Sequence, residues 1–245
     1  MPEGPSIVIL RELIENLHLE GSEIIEVAGN TKLDKDRLLH QKVIAFKSWG
    51  KHFLICFNDF VLRIHFMLFG SYRINERKES APRISLVFKN DELNFYTCSL
   101  QFIEGDITTI YNWEVDVLSD DWNPSKALKT VKEKEDVLVC DILLDQNIFS
   151  GVGNIIKNEV LYRVGVHPLS TVGSLSTPKL KELIKQARNY SFDFLHWKKE
   201  FTLKKHWLVY SKKLCPKNHP ITREHLGKTN RLTFYCAQCQ NYGKR

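Results

Sequence analysis

Proline is the one residue type whose amine is secondary, and Pro2 stands beside Glu3 in the opening Met1-Pro2-Glu3-Gly4-Pro5. Once Met1 is trimmed, the Pro2 nitrogen is a free amine with a carboxylate next to it. Such an amine condenses with an aldehyde-like carbon to a cationic iminium, an electron sink that breaks neighbouring bonds. That is lyase chemistry without a metal or a lysine. Taken alone, the five residues equally fit a chain that tolerates proline at its second position.

A second set of residues has metal-ligand spacing. Cys215 and His219 form one close pair, and Cys236 and Cys239 form another after sixteen intervening residues. Each pair can clamp one edge of a tetrahedron, the arrangement that structural zinc prefers. His225 is an alternative fourth ligand, farther from Cys215. Between the pairs lies 226–231, a basic hairpin tip in which Lys228 and Arg231 suit a phosphate backbone. A purely structural or protein-binding zinc ribbon reads the same way. The other three cysteines, Cys56, Cys98 and Cys140, lie singly in apolar stretches and read as buried small hydrophobes in a reducing compartment.

A third candidate is the turn 145–155, where Gly151 and Gly153 precede a helix beginning near Asn154. Backbone N–H groups at a helix start face anions readily. Asn154 can cap the helix or donate its amide to a phosphate.

These residues need elements to hold them. Ile7, Leu10, Leu13, Ile14 and Leu17 recur at helical spacing. Residues 22–110 read mostly as strands, at 43–47, 52–57, 61–66, 84–88 and 93–97, which predicts a two-sheet sandwich or barrel. Helices are predicted after the Asn123-Pro124-Ser125 start signal and at 137–144, 154–164 and 178–196, with a final hairpin. The fold class is therefore α+β. The expected domains are 1–120, a β-sandwich; 121–209, helical; and 210–245, a zinc finger.

The 245 residues carry a net charge of only +6, but it is unevenly spread. Residues 1–120 hold 13 Lys/Arg against 18 Asp/Glu, whereas 121–245 hold 22 against 11. That asymmetry fits a half that binds a polyanion by releasing counterions, or a merely solvated basic tail. No stretch of about 18 apolar residues predicts a membrane span, and no secretion signal is read. An intracellular protein, cytoplasmic or nucleoid-associated, is expected.

Taken together, these motifs resemble the formamidopyrimidine-DNA glycosylase and endonuclease VIII family of base-excision repair enzymes. The resemblance rests on Met1-Pro2-Glu3-Gly4-Pro5, Gly50-Lys51-His52, the run from His65 to Gly70, Asp145-Gln146 through Gly151-Val152-Gly153-Asn154-Ile155 and Glu159, and Arg231 five residues before Cys236. It implies a helix on a β-sandwich, a helix-two-turns-helix domain and a zinc finger holding one structural zinc ion. The implied partner is damaged double-stranded DNA, met by a monomer with no small-molecule cofactor and no membrane.

The resemblance also implies roles. Pro2 attacks C1′ of the damaged nucleotide, expels the base and forms a Schiff base, which collapses by β- or β,δ-elimination. Glu3 moves protons at the sugar. Lys51 completes the catalytic set and, with Asn154 and Arg231, grips phosphates beside the lesion; Lys228 adds to that grip. Enzymes that flip a nucleotide must fill the gap, and Met67, Leu68 and Phe69, placed on a loop before Gly70, fit an intercalating wedge, with Leu68 favoured. Their competing reading is sandwich core.

Several positions depart from the family pattern. Ser6 replaces a glutamate, and His219 a cysteine. Leu68 and Gln101 replace the methionine and arginine of enzymes favouring oxidised guanine, and 194–214 leaves little room for a purine-capping loop. The expectation is a bifunctional glycosylase and abasic-site lyase that prefers oxidised pyrimidines. The alternatives are a catalytically weak or silent damaged-DNA-binding protein on the same scaffold, an oxidised-purine glycosylase, or a zinc-ribbon interaction module.

Overall fold

A computed structural model of the chain describes residues 2–243. Met1, whose removal the Pro2 chemistry requires, lies outside the described residues. The chain divides into two compact units, Met1–Asn112 and Trp113–Arg245.

The first unit begins with helix α1 (Gly4–Glu15), started by Pro5 in its first turn, where the missing N–H has no partner to lose. Its buried Ile7, Leu10 and Ile14 join the core of a single antiparallel sheet in the order β1-β5-β6-β4-β3-β2. The strands are β1 (Glu26–Ala28), β2 (Ala45–Trp49), β3 (His52–Cys56), β4 (Phe60–Ile74), β5 (Ile84–Val87) and β6 (Glu92–Glu104). A one-turn helix α2 (Ile107–Ile110) follows.

The expected two layers are one hydrogen-bonded sheet that doubles over. Phe53 pairs with Ile64 and Ile64 with Leu100, so Phe53 and Phe95 stand two strands and five residues apart in register. In a flat sheet that is ~19 Å. Their ring centroids are 6.0 Å apart, so the sheet wraps around its own core. The long strands β4 and β6 run through both halves, and their register breaks between Phe66 and Ser71.

The second unit holds helices α3 (Pro124–Lys132), α4 (Val139–Ile142), α5 (Asn154–Arg163) and α6 (Thr177–Lys199), then a hairpin of β7 (Thr222–Leu226) and β8 (Arg231–Tyr235). Asn123 caps α3 as the sequence predicts, its side chain accepting from the Lys126 N–H at 3.0 Å. The predicted helix 137–144 shrinks to the single turn of α4. Its apolar residues Val139, Cys140, Ile142 and Leu143 are all buried, so burial and not helical length explains the apolar run.

The boundary falls ahead of the expected 120/121. The Val117 N–H donates to the Ser150 carbonyl and Val117 lies in the helical core, which ties 113–120 to the helices. The hairpin likewise belongs to the helical unit. Among the described residues no helix is long and apolar enough to cross a membrane.

Candidate functional site

In the first unit, Pro2 and Glu3 lead directly into α1. Glu3 has extended backbone at the helix N-cap position, its carbonyl accepts from the Ser6 N–H at 2.8 Å, and the residue is fully buried. Pro2 keeps part of its surface in solvent. A partly exposed proline and a buried glutamate are thus adjacent, at a helix N-terminus whose dipole favours negative charge.

Lys51 occupies the second place of the two-residue turn joining β2 and β3. Gly50 supplies the left-handed conformation, φ +52°, that such a turn demands at its first place. Around the turn, the Trp49 ring lies 5.0 Å from Tyr111 and 5.5 Å from His52, and His52 lies edge-on to His65 at 5.1 Å. The Tyr111 hydroxyl and His52 Nδ1 are 3.3 Å apart. Burial, reinforced by Arg63, His65 and Lys51, holds the His52 imidazole down at about 3, and burial with the same cations lowers His65. Both rings stay neutral beside the Lys51 cation. His52 and His65 mark the family in the sequence without a role, and Trp49 and Tyr111 carry no sequence signal; cross-strand pairing of His52 with His65 is what assembles the cluster.

Met67, Leu68 and Phe69 do not sit on a loop after a strand ending at Phe66. They lie within β4, in the register break where four residues, 67–70, face the single Thr97 of β6. The excess backbone has to leave the sheet, and it carries the side chains outward: Met67 and Leu68 are 53% exposed and Phe69 80%. The reading as sandwich core is thereby excluded. Gly70 closes the excursion, because a Cβ there would stand 2.6 Å from the Phe66 Cβ and 2.8 Å from the Thr97 carbonyl oxygen.

In the second unit, the turn before α5 is stitched by Gln146, whose amide donates to the Leu144 and Val152 carbonyls while its oxygen accepts from the Gly151 N–H. Gly153, not Asn154, is the N-cap. Asn154 instead donates its amide to the Leu232 carbonyl at 2.8 Å, and its side-chain oxygen is buried with no hydrogen-bond partner. Lys157 donates to Thr233 Oγ1 at 2.8 Å, and Asn158 accepts from the Phe234 N–H at 3.0 Å. Three α5 side chains, Asn154, Lys157 and Asn158, therefore grip three successive residues of β8. The strand's first residue, Arg231, remains exposed, as does Lys228 at the tip. Glu159, fully buried, accepts the N–H groups of Leu208, Val209 and Tyr210 and fixes the approach to the hairpin.

Cys215, His219, Cys236 and Cys239 converge, with all four ligand atoms within 4.8 Å of one another. Metal–sulfur bonds of ~2.3 Å put tetrahedral sulfurs ~3.8 Å apart. The Cys215 and Cys239 sulfurs are 3.9 Å apart, and His219 Nδ1 lies 3.2 Å from Cys239 Sγ and 3.8 Å from Cys236 Sγ. Against the cost of burial, the backbone N–H groups of His219 and Lys217 help lower the Cys215 thiol to about 7, which favours the thiolate a metal needs. The donor set thus fits a metal ion. His225 is exposed and turned to the Asn230 carbonyl, which rules it out as the fourth ligand.

Two family patterns match the chain: the formamidopyrimidine-DNA glycosylase N-terminal domain over residues 1–102 and the formamidopyrimidine-DNA glycosylase H2TH domain over 114–190. The bovine (Bos taurus) endonuclease 8-like 2 is 36% identical over 195 residues, 73% of this chain and 58% of the relative. The mouse (Mus musculus) endonuclease 8-like 3 is 34% identical over 201 residues, 78% of this chain and 33% of the relative. The match therefore spans between a third and three fifths of these curated relatives. Among solved structures, a viral DNA glycosylase superposes with TM-score 0.84 at 22% identity, covering 98% of this chain and 100% of that one. The Lactococcus lactis formamidopyrimidine DNA glycosylase bound to abasic-site DNA gives 0.86 at 19% identity, covering 98% and 99%. At such identities the likeness concerns the fold.

Proposed function

The chain belongs to the formamidopyrimidine-DNA glycosylase and endonuclease VIII family, on its endonuclease 8-like side, and from that premise we propose that it is a bifunctional DNA glycosylase and abasic-site lyase acting on oxidised bases in duplex DNA. With Met1 removed, the Pro2 nitrogen attacks C1′ and the bond to the damaged base breaks. Glu3 protonates the ring oxygen as the sugar opens, which leaves an iminium between Pro2 and C1′. Loss of a C2′ proton into that sink then expels the 3′ phosphate. The observation that carries this reading is the pairing at the start of α1: a partly exposed Pro2, whose nitrogen becomes a secondary amine once Met1 is removed, next to a fully buried Glu3.

Lys51, Asn154, Lys228 and Arg231 hold the phosphates, positioning the DNA without reading its sequence. Asn154 has one amide hydrogen committed to Leu232, which leaves the other for a phosphate oxygen. Met67, Leu68 and Phe69 fill the space of the flipped nucleotide; large apolar side chains held out at a break in strand register have no use in the folded chain itself. The Cys3His set takes one zinc ion, which staples the hairpin and stays out of the chemistry.

A preference for oxidised pyrimidines is supported by the segment between α6 and Cys215. The Thr202 N–H returns to the Trp197 carbonyl, Trp197 stacks on His206 at 4.1 Å, and Glu159 ties down 208–210. That leaves no slack for a purine-capping loop. Borohydride trapping with duplexes carrying an abasic site, an oxidised pyrimidine or 8-oxoguanine tests the proposal. A covalent adduct on the first two, weak on the third and lost in Pro2→Gly, is expected; no adduct with any of them refutes it.

A further inference from the structure

The tip of the β7–β8 hairpin is held by a residue that no motif marks. Asp141, on the single-turn helix α4, accepts the backbone N–H of Lys228 on its Oδ2 at 2.9 Å across 87 residues of chain. Gly227, at φ +74°, packs against the same carboxylate so closely that a Cβ would collide with it. The second oxygen, Oδ1, is buried with no hydrogen-bond partner. Among the described residues Asp141 makes no ion pair, and Lys134, which shares a ≈ 290 Å³ cavity with Asp141 and Lys228, pairs with Asp145 instead at 3.7 Å. Asp141 as a whole is only partly buried, but a carboxylate oxygen shielded from water without a partner is costly. Beside a tip meant for phosphates its negative charge is adverse as well. What offsets both is geometry.

We propose that Asp141 is a positioning residue, whose carboxylate fixes the hairpin tip so that Lys228 and Arg231 meet the DNA backbone; this rests on the phosphate roles proposed above. α5 grips β8 from one side through Asn154, Lys157 and Asn158. Nothing in that grip reaches the turn at 227–230, which Asp141 holds separately. The carboxylate is needed as an acceptor and not as a charge, so asparagine should replace it and alanine should not.

Two readouts test this on the zinc-loaded chain. Amide hydrogen exchange at Lys228, measured without DNA, should quicken in Asp141→Ala and stay slow in Asp141→Asn. Affinity for a lesion duplex should fall roughly tenfold in Asp141→Ala, with a salt dependence shallower by ~1 to 2 in slope, as when one or two phosphate contacts are lost. Asp141→Asn should bind as the native chain does, or tighter. Gly227→Ala, which pushes the tip away from the other side, should behave like Asp141→Ala. Alanine and asparagine variants that agree in both exchange and binding overturn the inference. If instead the native chain and Arg231→Ala bind DNA equally well, the phosphate reading itself fails, while the exchange result still reports on Asp141.

Discussion

The metal ligands could be read from residue type and spacing because their chemistry is local, soft donors in close pairs, and Pro2 stands out in the same way, as a secondary amine next to a carboxyl. For the apolar triplet it is the resemblance that favours the wedge, because the residue pattern alone does not decide it. Phe66 to Phe69 fits a core strand as well as a projecting one, and what separates the two is a partner strand some thirty residues later, where Cys98 pairs with Phe66 and Tyr96 with Ser71. Gly70 turns that break into a rigid projection. Gly70→Ala forces a methyl against the Thr97 carbonyl and the Phe66 Cβ, neither of which is the far end of a flexible side chain. The expected cost is about 1–3 kcal/mol by thermal or denaturant unfolding, with incision of a lesion duplex reduced further than abasic-site cleavage in single strands, where no gap needs filling.

At the scale of elements, the β2–β3 turn shows what strand pairing adds to a motif. Gly50-Lys51 stands between two predicted strands in the sequence, yet the neutral setting of Lys51 arises only because β3 and β4 bring His52 and His65 together under Trp49 and Tyr111. His52 titrates at about 3 in the folded chain and near ~6.5 when unfolded, so on acidification the unfolded chain takes up the proton first. Stability from the neutral ring is fully present above ~6.5 and is lost as the pH falls towards 3. Denaturant unfolding at pH 7 and pH 5 should differ by about 1–2 kcal/mol more in the native chain than in His52→Gln. An equal difference in the two would show that the ring is not held neutral. α4 gives the opposite lesson: its apolar run promised a longer helix than one turn, because periodicity does not distinguish a buried turn from a buried helix.

At the scale of the whole molecule, the succession of strand and helix patterns and the motif order carried the fold class, and the fold is that of its structural relatives. The hairpin is the element least able to stand alone. Its apolar cluster is little more than Val209, Cys215 and Cys236, with Tyr162 and Ile221 packed on it. So small a core needs a staple. One zinc per chain is expected by elemental analysis, and chelation should free amide exchange across 215–239 and abolish DNA binding while the 1–112 unit keeps its cooperative unfolding. Chelation without either effect would assign the ion no structural role. The central claim is narrower, that Pro2 is the nucleophile. Borohydride-trapped adduct, digested with trypsin and analysed by mass, should carry the sugar remnant on the peptide 2–11, with Met1 absent from every adduct-bearing chain. A remnant found on a lysine-containing peptide, such as 48–63 left uncut at a modified Lys51, or on chains that retain Met1, would contradict it.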